Sequence, residues 1–393
     1  MPDSTDIGVR VREVRKRRGL TQRELATAAG VSLSTIRVLE QGAAGETRME
    51  TARALASALR IPTSALLHRD PPGDQPPTDR WAEVRAAVMA PPAPVYVGDD
   101  APTVAGVRAA VRDAEPLFSG DRFAELARVL PPLLRDIDVI DPADRGARAV
   151  RGRLLQLTGW LLTQTRQFEA AEHALTQALG VATDRLDGAA TVTTLCWLLL
   201  RTGRLAEARA LAAEWADEVE PRMSRATADE LASWGWLLLR LSAADMRDAR
   251  PEEAQDALRL ANSAAVALGR EHTPSGDFLR TFGPTTVRLK RIEGAAVAGR
   301  PDRVLQLAKD VPVAGMRRTS NNRNRHLLDV ADARVRLRQY GEAVDVLEDV
   351  RMSSPEWLPQ QRYARDIVGR VVTKRRTLTP EMRRLADATG VPL

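Results

Sequence analysis

The chain holds 393 residues, 44% of them hydrophobic and 28% charged, the balance of an ordinary globular protein with room for two or more domains. Aromatic residues make up only 4%, so alanine and leucine must carry most of the packing, which favours close helix–helix contact over sheets. No apolar run approaches the ~20 residues of a membrane span. The start, MPDSTDIGVRV, has neither the charged leader nor the apolar stretch of a signal peptide, so a cytoplasmic location with no membrane partner is expected.

Charge is spread unevenly. The formal net charge is +6, and residues 1–69 alone carry 12 Lys/Arg against 7 Asp/Glu. Nearly all of the excess therefore sits in the first sixth of the chain, which points to a polyanion as the partner of that segment. Cys196 is the single cysteine; within TLCWLLL it reads as a small buried apolar residue, and no intrachain disulfide can form. The histidines, His68, His173, His272 and His326, show no ligand spacing, so neither a metal nor a cofactor is expected.

Residues 7–67 read as five short helices, and their decisive stretch is GLTQRELATAAGVSLSTIRVLEQG, residues 19–42. Thr21 and Glu24 have the spacing of a capping box, which opens a helix. Gly30 ends that helix where a left-handed backbone is needed, and Ser32 can cap the next one. Leu25, Ala29, Val31, Ile36 and Leu39 fall on the inner side, and Ala26 stands where two helices would cross. The product is helix, tight turn, helix. The outer face of the second helix carries Ser34, Thr35 and Arg37, flanked by Leu33 and Val38, while Gln22 projects from the start of the first. Such a helix fits the major groove of double-stranded DNA, where hydroxyls bond bases or phosphates and apolar side chains touch thymine methyls. The helix starts at Thr21 and Ser32 offer backbone N–H groups to phosphates. Arg48, in a turn before a second capping pattern at Thr47–Glu50, is placed for another phosphate contact.

The pattern GLTQ-x-ELA-x-x-x-GVS-x-x-x-I-x-x-x-E-x-G, present without a gap in a match spanning about Ile7 to Leu67, resembles the XRE family of lambda-type repressors. The resemblance implies a five-helix DNA-binding domain over residues 1–69 and recognition residues at Gln22, Ser32, Leu33, Ser34 and Val38. It also implies a structural ion pair between Arg15 and Glu40. Leu33 and Val38 depart from the polar residues often found at those positions in the family. One such domain covers a half-site, so a homodimer on a two-fold operator is expected.

Next comes DPPGDQPPTDR, residues 70–80, a breaker of linker composition. A short helix around Trp81–Met89 and a second proline cluster, APPAP at 90–94, complete a linker over residues 70–103. From 104 to 393 apolar-periodic segments alternate with short turns, and no strand-like alternation appears. An aromatic or leucine, an alanine three residues on and an apolar residue four further recur at Phe168–Ala171–Leu175, Leu205–Ala208–Ala212 and Tyr340–Ala343–Leu347. Partial copies stand at Ala254–Leu258, Val304–Ala308 and Phe123–Leu126–Leu130. In the clearest unit, LLQLTGWLLTQTRQFEAAEHALTQALGVA, small residues at Gly159, Ala171 and Ala178 let two antiparallel helices close on each other. The units resemble tetratricopeptide repeats, longer and looser than the usual ~34 residues. The fold class read from the sequence is thus all-α, a five-helix lambda-repressor-like domain followed by an α-solenoid of TPR-like hairpins that senses or dimerises.

The whole architecture resembles the actinobacterial XRE–tetratricopeptide regulators. TFGPTTVRLKRIE, residues 281–293, is similar to a motif of that group in which asparagine often stands where this chain has Thr286. A wider, purely architectural analogy is to Gram-positive quorum-sensing regulators that bind short peptides on a concave repeat surface. These likenesses imply a peptide or small-molecule effector. In RRTSNNRNRHLL, Asn321, Asn324 and Arg325 share one helical face and are the candidate ligand contacts, with a solvated polar helix start as the alternative that the composition favours. Trp160, Trp197, Trp234 and Trp236 read as core. There is no Walker loop, GxSxG, HExxH or Cys/His ligand set, so no catalytic residue is expected and an enzyme is not the reading. The competing class is a TPR-based protein–protein adaptor, or a regulator controlled by a protein partner.

Overall fold

The computed structural model describes residues 4–42, 47, 49–59, 61, 66, 79–91, 94–95, 102–275, 277, 279–375 and 377–393. Among these the chain is helical, with three short 3-10 turns and a single antiparallel bridge between His272 and Phe282. It divides into two compact units, Met1–Asp79 with Arg338–Leu393, and Arg80–Leu337.

The first unit opens with α1 (Ser4–Arg17), α2 (Gln22–Ala29), α3 (Leu33–Glu40) and α4 (Met49–Ala58). Their apolar stripes meet in one core of Ile7, Val11, Leu25, Ile36, Leu39 and Leu55, closed by Leu59 and Leu66. Of the fifth expected helix, most residues lie outside those described. α1 and α3 approach closely because Gly8 has no side chain: a Cβ there would collide with the Leu39 carbonyl oxygen.

The second unit begins with α5 (Ala82–Met89) and continues as hairpins. These are α6 (Val104–Ser119) with α7 (Phe123–Asp138), α8 (Arg145–Gln164) with α9 (Phe168–Gly180), and α10 (Arg185–Thr202) with α11 (Leu205–Glu218). α12 (Ala228–Arg247) then pairs with α13 (Pro251–Leu268) and α14 (Pro284–Val297) with α15 (Pro301–Ala308), and α16 (Asn321–Arg336) follows. The even-numbered helices from α6 to α16 touch in succession and build one continuous layer, against which the odd-numbered partners pack. α5 packs on α7 and α9.

The sequence anchors Phe123, Phe168 and Leu205 are the first residues of second helices of hairpins, and Tyr340 is the first residue of a helix in the first unit. The alanines that follow, Ala171, Ala208, Ala254 and Ala343, are fully buried at the helix crossings. Gly159 faces Leu175 so closely that a Cβ would stand 2.6 Å from the leucine side chain. A further regularity accompanies these anchors. Asp121, Arg166, Gly203, Ala249, Gly299 and Arg338, each two residues before a helix start, all adopt positive φ. One left-handed turn geometry recurs at every hairpin corner of the second unit from Asp121 to Gly299, which is what repetition of a single supersecondary unit produces.

The remaining helices of the first unit are α17 (Tyr340–Ser353), α18 (Arg362–Lys374) and α19 (Pro380–Thr389). α19 packs against both α17 and α18, and Leu347, Trp357, Ile367, Val371 and Leu385 are buried among them.

Candidate functional site

The α2–α3 corner is fixed by local chemistry. Thr21 Oγ1 accepts from the Glu24 backbone N–H at 3.1 Å, and Glu24 returns a bond to the Thr21 N–H at 2.6 Å. That pair holds the Glu24 carboxyl below the usual carboxylate range. Gly30 closes α2 at φ 64°, a left-handed conformation that side chains resist. Ser32 then caps α3 by accepting from the Thr35 N–H at 3.0 Å. Both expected caps and the turn glycine are present.

The rear of α3 is pinned twice. Ile36 and Leu39 enter the core, and Glu40 lies buried against Arg15, Nε to Oε1 at 2.6 Å and Nη2 to Oε2 at 2.9 Å. Arg15 Nη1 also donates to the Leu20 carbonyl at 2.8 Å, tying α1 to the chain that leads into α2. Gln22 joins the same cluster: its Nε2 donates to Glu40 Oε2 at 2.8 Å. The free surface of α3 is therefore the opposite one. Ser34, Thr35, Arg37 and Val38 are exposed along it, and Ser32 stands exposed at its start. The Ser32 hydroxyl lies 2.7 Å from that of Ser34 and 2.8 Å from that of Thr35, a cluster of three adaptable donor-acceptors at one helix end. Leu33 is half-buried against the domain core and so has a packing role besides any outward contact. Thr21 is exposed at the start of α2, whereas Arg48 lies outside the described residues.

A second feature lies wholly inside the second unit. A cavity of about 380 Å³ is walled by Phe118 of α6, Trp160 of α8, Trp197 of α10 and Trp236 of α12. Trp160 meets Phe118 edge-on at 4.5 Å between centroids, and Trp197 lies tilted at 6.3 Å from Trp160. The Trp236 indole donates to the Thr281 carbonyl at 3.2 Å, fixing that ring. Reading these tryptophans as core corrects to a mixed result. Trp234 and Trp236 both belong to a packed core cluster, and Trp236 also lines the hollow together with buried Trp160 and half-buried Trp197. A periodic pattern shows that a side chain is covered, not whether the space in front of it is filled.

Three arginines, Arg240, Arg280 and Arg317, stand on the wall, and the first two are held by the protein as follows. Arg280 donates to Asp277 at 2.6 Å, to the Ala190 carbonyl at 3.2 Å and to the Thr194 hydroxyl. Arg240, only 9% exposed, donates from Nε to the Thr193 carbonyl at 3.0 Å and stacks 5.1 Å over Trp236. Burial, with Arg280 nearby, pushes the Arg240 guanidinium down to about 9, which leaves it a cation at neutral pH. Sequence reasoning missed this residue. Its signal was a lone arginine inside the apolar run SWGWLLLRLSAA.

The three candidate ligand contacts on α16 do not converge. Asn321 lines the cavity together with Asn322. Asn324 is fully buried, with Arg323 donating to its Oδ1 at 3.4 Å, and Arg325 turns to Asp329 at 3.3 Å. Only the first turn of α16 reaches the hollow. Thr286 is likewise committed locally: its hydroxyl bonds Glu271 at 2.9 Å, and Glu271 caps α14 by accepting from the Thr285 N–H at 2.7 Å. Cys196 is buried, and burial pushes its thiol up to about 12. Among the described residues no group of acids, histidines and cysteine could hold a metal ion, and no helix is long and apolar enough to cross a membrane.

Residues 11–66 match a helix-turn-helix family. The N-terminal segment is a helix-turn-helix domain. No curated protein matches the chain. Similar solved structures include Bacillus thuringiensis PlcR in complex with the peptide PapR7 and DNA, at 12% identity over 87% of this chain and 99% of that one, TM-score 0.38. A Rap protein complexed with competence and sporulation factor is another, at 11% identity over 73% of this chain and 89% of that one, TM-score 0.42.

Proposed function

We propose that the chain is a sequence-specific, DNA-binding transcriptional regulator, acting as a homodimer, whose repeat region binds a peptide or small-molecule effector. The observation that carries the DNA-binding reading is the division of α3 into two faces. One is locked by Ile36, Leu39 and the Arg15–Glu40 pair, and the other exposes Ser34, Thr35, Arg37 and Val38. In this reading α3 lies in the major groove. Ser34 and Thr35 reach base edges or phosphates, Val38 and the outward part of Leu33 meet thymine methyls, and Arg37 meets the backbone. The starts of α2 and α3, at Thr21 and Ser32, direct backbone N–H groups at phosphates, where Arg48 adds charge. Gln22 reads from the edge of the groove with its amide nitrogen already held by Glu40. The division of labour assigns residues 1–69 to DNA, 70–103 to linkage and 104–393 to sensing and dimerisation.

Selection of bound duplexes from a random pool, followed by titration at several salt concentrations, tests the reading. The expected result is a two-fold symmetric consensus bound ~10³-fold or more above random duplex, with affinity falling as salt rises. Equal affinity for selected and random duplexes at moderate salt would overturn it.

A further inference from the structure

Arg240 presents an unusual state for a buried charge. It is nine-tenths buried and lines the 380 Å³ cavity, and among the described residues its one hydrogen bond is from Nε to a carbonyl. Among the described residues its two terminal nitrogens bond nothing and no carboxylate pairs with it, in contrast to Arg280, whose partner is Asp277. Asp277 and Glu293 attract Arg240 only from beyond ion-pair distance, so its desolvation cost is not recovered by a direct pair. The other charges on the wall do not supply the missing anion. Glu271 is committed to the Thr285 and Thr286 N–H groups and the Thr286 hydroxyl, and Asp121 has a partner of its own.

We infer that the cavity takes a small monoanion, an aromatic or apolar carboxylate, with the acid group on Arg240 and the ring between Trp160, Trp197 and Trp236. This rests on the reading of the repeat region as a sensor and gives its ligand a chemistry. A planar carboxylate accepts two parallel bonds from a guanidinium, whereas a phosphate dianion would leave a surplus charge in the same apolar surroundings. Size narrows the ligand too. A hollow of about 150 Å³ accommodates benzene, so 380 Å³ holds a ring with a short chain and an acid group. Asn322, on the same wall, offers an amide donor and acceptor to whatever follows the ring. The same chemistry is met by a free aryl-alkanoic acid or by the last residue of a peptide ending in an aromatic carboxylate.

Titration of the full chain without DNA, followed by tryptophan fluorescence and calorimetry, separates these sources. One arm uses 3-phenylpropanoate, indole-3-acetate and N-acetyl-phenylalanine, each beside its uncharged amide. The other uses acetyl-Gly-Gly-Phe as acid and as C-terminal amide. The expected result is that at least one acid binds tenfold or more tighter than its own amide, and that Arg240→Met abolishes the difference. Tighter binding of the free acids names a metabolite-like ligand, and tighter binding of the tripeptide acid names a peptide terminus. Arg240→Met should melt no lower than the native chain, because the variant removes an unpaired buried charge. Should it fail to fold, Trp197→Leu serves instead, and it should weaken the bound acid in the native background. If every acid and its amide bind alike, or none binds, the inference falls. DNA binding measured separately on the same protein leaves the regulator reading standing or falling on its own.

Discussion

Arg15 and Glu40, 25 residues apart, form a two-point ion pair inside the helix-turn-helix domain, and Gln22 of the next helix is hydrogen-bonded to the same carboxylate. One buried anion thereby joins α1, the start of α2 and the end of α3. Arg15→Met leaves Glu40 buried and unpaired and should cost about 3–5 kcal/mol, read by urea unfolding of the domain. The double variant Arg15→Met/Glu40→Leu should regain most of that stability, since two well-packed apolar groups replace the pair at little net cost. It also removes the anchor of Gln22, so specific DNA affinity should stay reduced although the fold is restored. Recovery of full affinity in the double variant would show that the tether to Gln22 has no bearing on recognition.

On the exposed side of α3, charge and hydroxyl should separate in their effects. Arg37→Ala should weaken binding to every duplex alike and lower the salt dependence by about one counter-ion. Ser34→Ala should change which duplexes are preferred, at a cost of about 1–3 kcal/mol on the best site. Neither residue packs inside the domain, and melting temperature should remain that of the native chain. Competition binding against a panel of single-base variants distinguishes the two outcomes.

The hairpin corners give a test of the repeat architecture itself. Ala249 holds φ 56° at the same corner position where Gly203 holds φ 80°. Left-handed backbone costs a residue with a Cβ roughly 1–2 kcal/mol, against about 0.4–1 kcal/mol of extra unfolded-state freedom for glycine. Ala249→Gly should therefore stabilise by about 0.5–1 kcal/mol. Gly203→Ala should destabilise by a similar amount although nothing stands within 4 Å of the new methyl. Thermal or urea unfolding decides both. A loss in the first variant would mean that the corner is not strained.

These corners also mark where the sequence stops being readable. The capping box at Thr21, the glycine turn at Gly30, the serine cap at Ser32 and the alanines at Ala171 and Ala208 depend on neighbours within a turn or two, and local spacing is enough to see them. Left-handed Asp121, Arg166 and Ala249 carry no glycine to announce them. The cavity is less visible still, because Phe118, Trp160, Trp197, Trp236 and Arg280 come from elements far apart in sequence, and the hollow exists only where their packing leaves space. Asn321 was legible as polar and near a helix start. That Asn324, three residues on, faces into protein depends on the layer behind α16, which no local pattern records.

One turn of α16 holds two buried groups whose titrations oppose each other. His326 is 3% exposed, and burial with the Arg323 charge pushes it from 6.5 down to about 4. Asp329 is buried too. Its carboxyl is pushed from 3.8 up to about 6 by burial and by Glu293, against the pull of Arg325, Lys290 and Arg247. Between pH 6.5 and 4 the unfolded histidine takes a proton that the folded one refuses, so its contribution to stability is lost as pH falls through that window. Between pH 6 and 4 the folded aspartate takes a proton that the unfolded one does not yet hold, so stability is gained over nearly the same window. The two slopes offset in the native chain. Relative to native protein, His326→Gln should gain stability on acidification from pH 6.5 to 4.5, and Asp329→Asn should lose it. Scanning calorimetry of the three proteins across that range reads the divergence, and parallel curves would show that neither group titrates as its surroundings dictate.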